Sequence, residues 1–141
     1  MDCTNQENEV TVAPGSIIIS PNYPHHYDHN SNCGIILNFE EDKNIVMYFL
    51  SFDVSESSGC TQDYLEIRSL SSLHQHHDST TPSTSTSTSS VVRSLCGYGI
   101  PDPINVNGNK VYLTFRSDSS LGFRGFEIAI ENGKLSIDLL P

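Results

Sequence analysis

Val111-Tyr112-Leu113-Thr114-Phe115 alternates large apolar side chains with side chains that tolerate water. A second stretch, Phe126-Glu127-Ile128-Ala129-Ile130-Glu131, has the same alternation. Successive side chains of a β-strand point to opposite faces, so this pattern puts one face of each strand in a core and the other toward solvent. The two stretches therefore predict two half-buried strands. Gly125 stands just before the second stretch and predicts a bulge or a close approach of backbone there.

Four further stretches have the composition of strands: residues 15–20, 33–39, 45–52 and 64–67. Residues 45–52 are almost entirely apolar, so we expect a central strand that is covered on both faces. Turn-forming Pro, Asn and Gly separate the stretches, and no window shows the apolar stripe of a helix. Many short strands with almost no helix predict an all-β sandwich or jelly roll.

The charge balance limits the partners that the chain can bind. Its 141 residues suit one domain, and 7 Lys and Arg against 17 Asp and Glu give a formal net charge of −10. Such a chain is repelled by nucleic acid and anionic membranes, so we expect cations, basic proteins or polar surfaces as partners. No stretch approaches the roughly 18 apolar residues of a membrane-spanning helix, which predicts no membrane insertion.

Residues 1–4 lack the basic and apolar regions of a signal peptide. This beginning is consistent with a mature fragment, a piece of a longer chain or a truncated gene model. The sequence also contains no Asn-x-Ser/Thr sequon, so N-glycosylation is not expected.

The four cysteines, Cys3, Cys33, Cys60 and Cys96, are widely spaced. None belongs to a Cys-x-x-Cys pair, so the spacing of zinc fingers is absent. An even number of separated cysteines in a small domain predicts two disulfides and an oxidising compartment, with three connectivities open. The alternative is four buried free thiols in a cytosolic protein.

A tract of Ser and Thr with one Pro occupies residues 79–90. It has no apolar side chains to bury and is predicted to be a disordered surface loop. It is either an insertion tolerated at a hairpin tip or a patch that carries O-linked sugars. Further along, Leu135, Ile137 and Leu139 alternate in residues 132–141, which we expect to form a linker or an additional edge strand.

Four short motifs follow one another along the chain. They are Ser20-Pro21-Asn22-Tyr23-Pro24 with Tyr27 and Cys33; Phe52-Asp53 with Cys60 and Asp63-Tyr64-Leu65-Glu66-Ile67; Leu95-Cys96-Gly97 with Ile100-Pro101; and Phe115-Arg116-Ser117-Asp118 with Gly125-Phe126. Each motif alone is weak, but the set in this order is specific. Over residues 3–131 the chain therefore resembles the CUB domain family.

The resemblance implies a CUB-type jelly-roll β-sandwich of two antiparallel sheets that spans residues 3–131. It also implies two disulfides, Cys3–Cys33 and Cys60–Cys96. CUB domains are extracellular recognition modules, so the resemblance places the protein outside the cell or on its surface, although no signal peptide is visible.

The segment between the third and fourth cysteines is longer than the family usually has. The resemblance therefore predicts an inserted loop at about residues 69–92, which the fold should tolerate because loop-closure entropy grows only logarithmically with length. Residues 132–141 are then a tail or linker. The motif residues Phe52, Phe115 and Phe126 are predicted to lie in the core.

Many CUB domains hold calcium at one end of the sandwich with three acidic residues and a supporting Tyr. Two of the acids match Asp63 and Asp118, and Tyr27 matches the supporting residue. In this pattern calcium is the cofactor, and a Lys or Arg of a partner protein is bound by the remaining acidic oxygens. The resemblance therefore implies calcium-dependent binding of an extracellular protein.

The third acid of that pattern, a Glu, is replaced here by Ser55. Glu56 is adjacent, but neighbouring side chains in an extended segment point in opposite directions. Asp53 is the other candidate, and backbone carbonyls near Ser119 and Ser120 could complete the shell. Because calcium affinity follows the number of charged ligands, the replacement predicts a weaker site or none.

No catalytic motif is present, so we expect the chain not to be an enzyme. Two histidine groups remain: His25, His26 and His29 in one turn, and His74, His76 and His77 beside Asp78 in the inserted loop. The second group could bind zinc or copper adventitiously, but a mobile loop supplies no fixed geometry.

Three alternatives to calcium-dependent protein binding stay open. One is a calcium-free domain similar to the spermadhesins, which bind carbohydrates, glycoproteins or each other. Another is a non-catalytic fragment of a larger CUB-containing extracellular protease or receptor. The third is a structural spacer within a multidomain extracellular protein.

Overall fold

A computed structural model describes residues 1–72, 87–120 and 122–133 of the chain. In chain order, the strands of these residues are β1 (Glu9–Thr11), β2 (Ser16–Ile19), β3 (Asn32–Asn38), β4 (Ile45–Val54), β5 (Tyr64–Ser72), β6 (Ser87–Leu95), β7 (Gly97–Tyr98), β8 (Ile104–Val106), β9 (Lys110–Arg116) and β10 (Gly125–Asn132). A 3₁₀ turn, Ser58–Cys60, precedes β5. None of the described residues belongs to a helix long and apolar enough to cross a membrane.

The strands form two sheets that pack as a sandwich. The first sheet has the order β1-β3-β9-β5-β6, and the second has the order β2-β10-β4-β7, with β8 also paired to β4. This confirms the predicted all-β sandwich of two sheets. The pairs are antiparallel except β1 and β3, which run parallel. Parallel neighbours need a crossover connection, and β2, which lies between them in the chain and belongs to the other sheet, is part of that connection.

Alternate side chains of both sheets fill the core. Phe115 and Phe126 are fully buried and Phe52 is 4% exposed, which confirms their predicted core positions. The Phe115 ring lies 5.6 Å from that of Phe126, and the Phe126 ring lies 6.3 Å from that of Phe52. The three rings therefore join β9 of the first sheet to β10 and β4 of the second.

The expectation that residues 45–52 are covered on both faces is wrong for the outward-facing residues from Tyr48 onward. Ile45, Val46 and Met47 are buried, but Tyr48 is partly exposed and Leu50 is 49% exposed. Strand β4 lies centrally, between β10 and β7 with β8, so its inner face is covered by the first sheet. The apolar run alone does not show whether a further layer covers its outer face.

Both disulfides fasten the ends of strands. Cys3 is bonded to Cys33 in β3, and Cys60 in the 3₁₀ turn is bonded to Cys96, directly after β6. Asp2 also forms an isolated bridge with Gly34. The segment before β1 is therefore held against the first sheet.

The hairpin β5–β6 extends into the region predicted to be an inserted loop. Its register pairs Ser69 with Ser90 and Ser72 with Ser87. The predicted disorder of residues 79–90 is therefore wrong for 87–90, because ladder hydrogen bonds use backbone groups and need no apolar side chain. Residues 73–86 lie outside the described residues, as do 134–141, where a linker or an additional edge strand was expected.

We predict that Phe115→Ala lowers the free energy of unfolding by about 3–5 kcal/mol, because it leaves a cavity between the two sheets. Denaturant unfolding followed by circular dichroism measures this loss. Val91→Ala is the control, because Val91 is 50% exposed on β6. It should change the free energy by no more than about 0.5 kcal/mol. Equal losses in the two variants would contradict the placement of Phe115 in the core.

Candidate functional site at one end of the sandwich

The pairing of β5 with β9 brings the two predicted calcium ligands together. Tyr64 at the start of β5 lies opposite Arg116 at the end of β9. Asp63 directly precedes β5 and Asp118 follows β9 by two residues, so both lie at the same end of the first sheet. The backbone N–H of Asp118 donates a hydrogen bond to Asp63 Oδ1 at 2.8 Å.

Asp63 is a buried carboxylate, with 1% of its surface exposed. Its Oδ1 accepts the Asp118 amide, and its Oδ2 accepts the Tyr27 hydroxyl at 2.7 Å. Charge-assisted hydrogen bonds of this kind are stronger than neutral ones, and here they fix both carboxylate oxygens. Asp63 thereby joins the loop after β9 to the connection between β2 and β3.

Tyr27 links this end to the core. Its ring is buried against Phe115 with the centroids 4.8 Å apart, and its hydroxyl also accepts the Ser55 N–H at 3.1 Å. Burial raises the pKa of the Tyr27 hydroxyl well above its ordinary value, and the hydrogen bond and negative charge of Asp63 raise it further, whereas the Ser55 amide lowers it. The hydroxyl therefore stays protonated and remains a donor to Asp63.

Asp118 organises the loop that follows β9. Its Oδ1 accepts the Ser120 N–H at 2.8 Å, and its backbone carbonyl accepts the Asn30 N–H at 2.7 Å. Asp118 is only partly buried, so part of the residue is accessible at this end of the sandwich. Asp118 can therefore hold its own loop and present oxygen to a ligand.

Two further groups at this end, the Ser117 hydroxyl and the Asp28 carbonyl, were not predicted from the sequence. The Ser117 hydroxyl donates to the Asp28 carbonyl at 2.6 Å and accepts the Ser31 N–H at 2.8 Å. The Ser31 hydroxyl donates to the same Asp28 carbonyl at 2.7 Å. Ser117 lies within the last motif, but a backbone carbonyl leaves no signal in sequence. These bonds hold the connection between β2 and β3, which contains Tyr27 and Asp28, against the end of β9.

Among the residues that the structure describes, no third acid is grouped with Asp63 and Asp118. Ser55 contributes a backbone amide, Glu56 is exposed, and Asp53 Oδ2 accepts the Arg124 N–H at 3.3 Å. Throughout residues 1–72, 87–120 and 122–133, no three His, Cys, Asp or Glu side chains are grouped as metal ligands. The exposed residues His25, His26 and His29 lie in this described part, whereas His74, His76, His77 and Asp78 lie outside it.

Two glycines allow the backbone to approach this end closely. A Cβ at Gly122 would overlap the Tyr27 carbonyl oxygen, and one at Gly125 would overlap the Ser20 hydroxyl. Gly125 also has φ +89, which glycine adopts without strain. The Ser20 hydroxyl accepts the Phe126 N–H at 2.9 Å, so the predicted close approach at Gly125 is confirmed.

Comparison with known sequences gives one consistent assignment. A sequence model of the family described as "CUB domain" matches residues 3–130. Cubilin of Canis lupus familiaris is 39% identical over 109 residues, which cover 77% of this chain and 3% of cubilin. Tolloid-like protein 1 of Mus musculus is 31% identical over 127 residues, which cover 89% of this chain and 11% of the relative. The chain thus spans a small part of these curated relatives.

Solved structures agree with the sequence comparison. The MASP-1 CUB2 domain bound to Ca²⁺ superposes with a TM-score of 0.68 at 27% identity, over 88% of this chain and 96% of that domain. The extracellular region of zebrafish Gpr126/Adgrg6 superposes with a TM-score of 0.69 at 20% identity, over 96% of this chain and 15% of that one. The second likeness concerns the fold alone.

We predict that Tyr27→Phe lowers the free energy of unfolding by about 1–3 kcal/mol at neutral pH, because Asp63 Oδ2 and the Ser55 N–H lose a buried partner. Denaturant unfolding measures the loss. Tyr23→Phe is the matched control, since the Tyr23 hydroxyl also donates to a carboxylate, Glu127 Oε2, in a less buried setting. It should lose less than Tyr27→Phe, and a larger loss would contradict the role given to Tyr27.

The raised pKa of Tyr27 predicts the sign of a pH effect. The protonated hydroxyl is favoured in the folded state, so its contribution is complete below the unfolded pKa of about 10 and is lost as the pH rises through the folded pKa. The difference in unfolding free energy between wild type and Tyr27→Phe should therefore shrink above about pH 10. A difference that grows with alkaline pH would show the opposite shift.

Proposed function

The chain belongs to the CUB domain family, and on that premise we propose that it is an extracellular, non-catalytic module that binds a protein through a calcium site formed by Asp63 and Asp118. Buried Asp63 is the observation that carries this proposal. Asp63 is 1% exposed as a whole residue. It takes part in none of the ion pairs of the described residues, which are Lys43–Glu41, Arg68–Glu66 and Lys110–Glu9. A buried carboxylate without a countercharge is unfavourable, and a bound cation would relieve that cost.

The donor set suits calcium better than other metals. Calcium takes six to eight oxygen ligands from carboxylates, backbone carbonyls and waters, in a flexible arrangement. Asp63 and Asp118 supply carboxylates on adjacent strand ends, and carbonyls near Ser119 and Ser120 would add to the shell. The MASP-1 CUB2 domain, at 27% identity, is described as bound to Ca²⁺.

Bound calcium would supply positive charge between the two acids and tie their loops together. Tyr27 would orient Asp63 through the hydroxyl bond of 2.7 Å, as a positioning residue rather than a ligand. The free carboxylate edge of Asp118 would then accept a Lys or Arg of the partner protein. A net charge of −10 favours approach of such a basic partner at low salt.

The absence of a third acid beside Asp63 and Asp118 in the described residues favours a second candidate. In that case the domain binds a carbohydrate or glycoprotein without calcium, as the spermadhesin resemblance implied. Either Glu56 or Asp53 could still complete a calcium shell. Variants of these two residues therefore distinguish the calcium-dependent function from the calcium-free one. Asp53 would first have to release the Arg124 amide.

The extracellular placement rests on the disulfides and the relatives. Both cysteine pairs are oxidised, and disulfides persist outside the reducing cytosol. The chain spans only 3% of cubilin and 11% of tolloid-like protein 1, so the activity of a longer protein would reside in other domains. Within such a protein, this domain would serve in docking.

Calorimetric titration of the chelator-treated protein with calcium tests the proposal. We expect saturable binding near 10⁻³ M, the weak end of the roughly 10⁻⁴–10⁻³ M range of extracellular modules, because two carboxylates rather than three hold the ion. Asp118→Ala should remove this binding. Glu56→Gln and Asp53→Asn should show whether either residue is a third ligand, by a loss of affinity in one of them.

Asp42→Ala is the matched control, because it also removes one acid but lies in the exposed β3–β4 loop at the other end of the sandwich. It should leave calcium affinity unchanged. If wild type shows no saturable heat, or if Asp118→Ala and Asp42→Ala bind calcium as wild type does, the calcium site is refuted and calcium-free recognition takes its place.

A further inference from the structure

The outer side of the second sheet carries exposed apolar side chains. Ile17 and Ile19 in β2 are 47% and 41% exposed, and Leu50 in β4 is 49% exposed. Tyr48 and Ala129 are partly exposed between them. These five residues form what we call the outer apolar face.

The register of the sheet makes these residues neighbours. Ala129 in β10 lies opposite Ile17 on one side and opposite Tyr48 on the other. Two residues before Ala129 in β10, Glu127 lies opposite Ile19. Leu50 stands at the bulge that shifts the register of β10 against β4. The outer apolar face is therefore one continuous surface across three strands.

The charges of the second sheet all have one sign. Strands β2, β4, β7, β8 and β10 contain Asp53, Glu127 and Glu131, and no Lys or Arg. Glu127 and Glu131 flank Ala129 at spacings of two, so they share its side of the sheet. The first sheet differs, because its strands contain four basic residues, Arg68, Arg93, Lys110 and Arg116.

We infer that the outer apolar face binds an amphipathic segment of a partner protein in which Leu-like side chains are accompanied by Lys or Arg. The apolar side chains would cover Ile17, Tyr48 and Leu50, and the basic ones would meet Glu127 and Glu131. Complementary charge selects this occupant. A second copy would bring acids against acids, and an anionic membrane would be repelled for the same reason.

This surface goes beyond the proposed calcium site. It includes neither Asp63 nor Asp118, so binding here needs no calcium. Replacing a Leu or Ile side chain that is buried in a complex by a small polar one weakens binding by about tenfold or more. The two sites can therefore be tested separately in one protein.

The test is a fluorescence anisotropy titration, in excess chelator, with a labelled synthetic helical peptide of Leu and Lys arranged on opposite faces. The full chain should bind it saturably. Leu50→Ser and Ile17→Ser should each weaken binding about tenfold. Val91→Ser is the matched control, because Val91 is 50% exposed on the other sheet, and it should bind as wild type does.

A peptide with Glu in place of Lys gives the charge control and should not bind. Equal affinity of wild type, Leu50→Ser and Ile17→Ser would overturn the inference, since attraction would then come from net charge alone. Binding seen only after removal of residues 134–141 would also overturn it, because the chain's own tail would then cover the face. So would a wild-type dimer that Leu50→Ser dissociates.

Discussion

The hydrogen bond from the Tyr27 hydroxyl to buried Asp63 joins the core of this domain to its candidate binding end. The Tyr27 ring packs on Phe115, which contacts Phe126 in the opposite sheet, so the position of the hydroxyl is set by core packing. Asp63 in turn holds the Asp118 amide, and the Tyr27 hydroxyl holds that of Ser55. Side chains that bind a ligand are effective when packing fixes them in advance. Here the packed Tyr27 fixes the Asp63 carboxylate, and Asp63 fixes the backbone of Asp118.

The two proposed surfaces use different physical properties of the same sandwich. The end with Asp63 and Asp118 concentrates carboxylates where strands β5 and β9 meet, so it suits a cation and then a basic side chain. The outer apolar face offers Ile17 and Leu50 on a sheet whose strands contain acids and no bases. A domain with both can engage one partner at two places or two partners at once, and a calcium chelator would release only the first contact.

The sequence predicted the features that depend on local pattern. Alternation over 111–115 predicted the buried positions of β9. The common end of Asp63 and Asp118 was implied by the resemblance to CUB domains rather than by a local pattern. Features that depend on tertiary contacts were not predictable. The exposure of Leu50 depends on what covers the outer face of a sheet, and the parallel pairing of β1 with β3 depends on which sheet takes β2. Pairing of 87–90 depends on backbone hydrogen bonds, which side-chain composition does not encode.

We propose that Asp63 organises a cation site at this end of the sandwich. A calcium titration followed by amide spectra in nuclear magnetic resonance tests this site. The amides of Ser55, Asp118 and Ser120 should shift along one saturable curve, while that of Gly108 in the β8–β9 turn at the opposite end should not move. Shifts that centre on the acids of residues 40–42, or that never saturate, would contradict it.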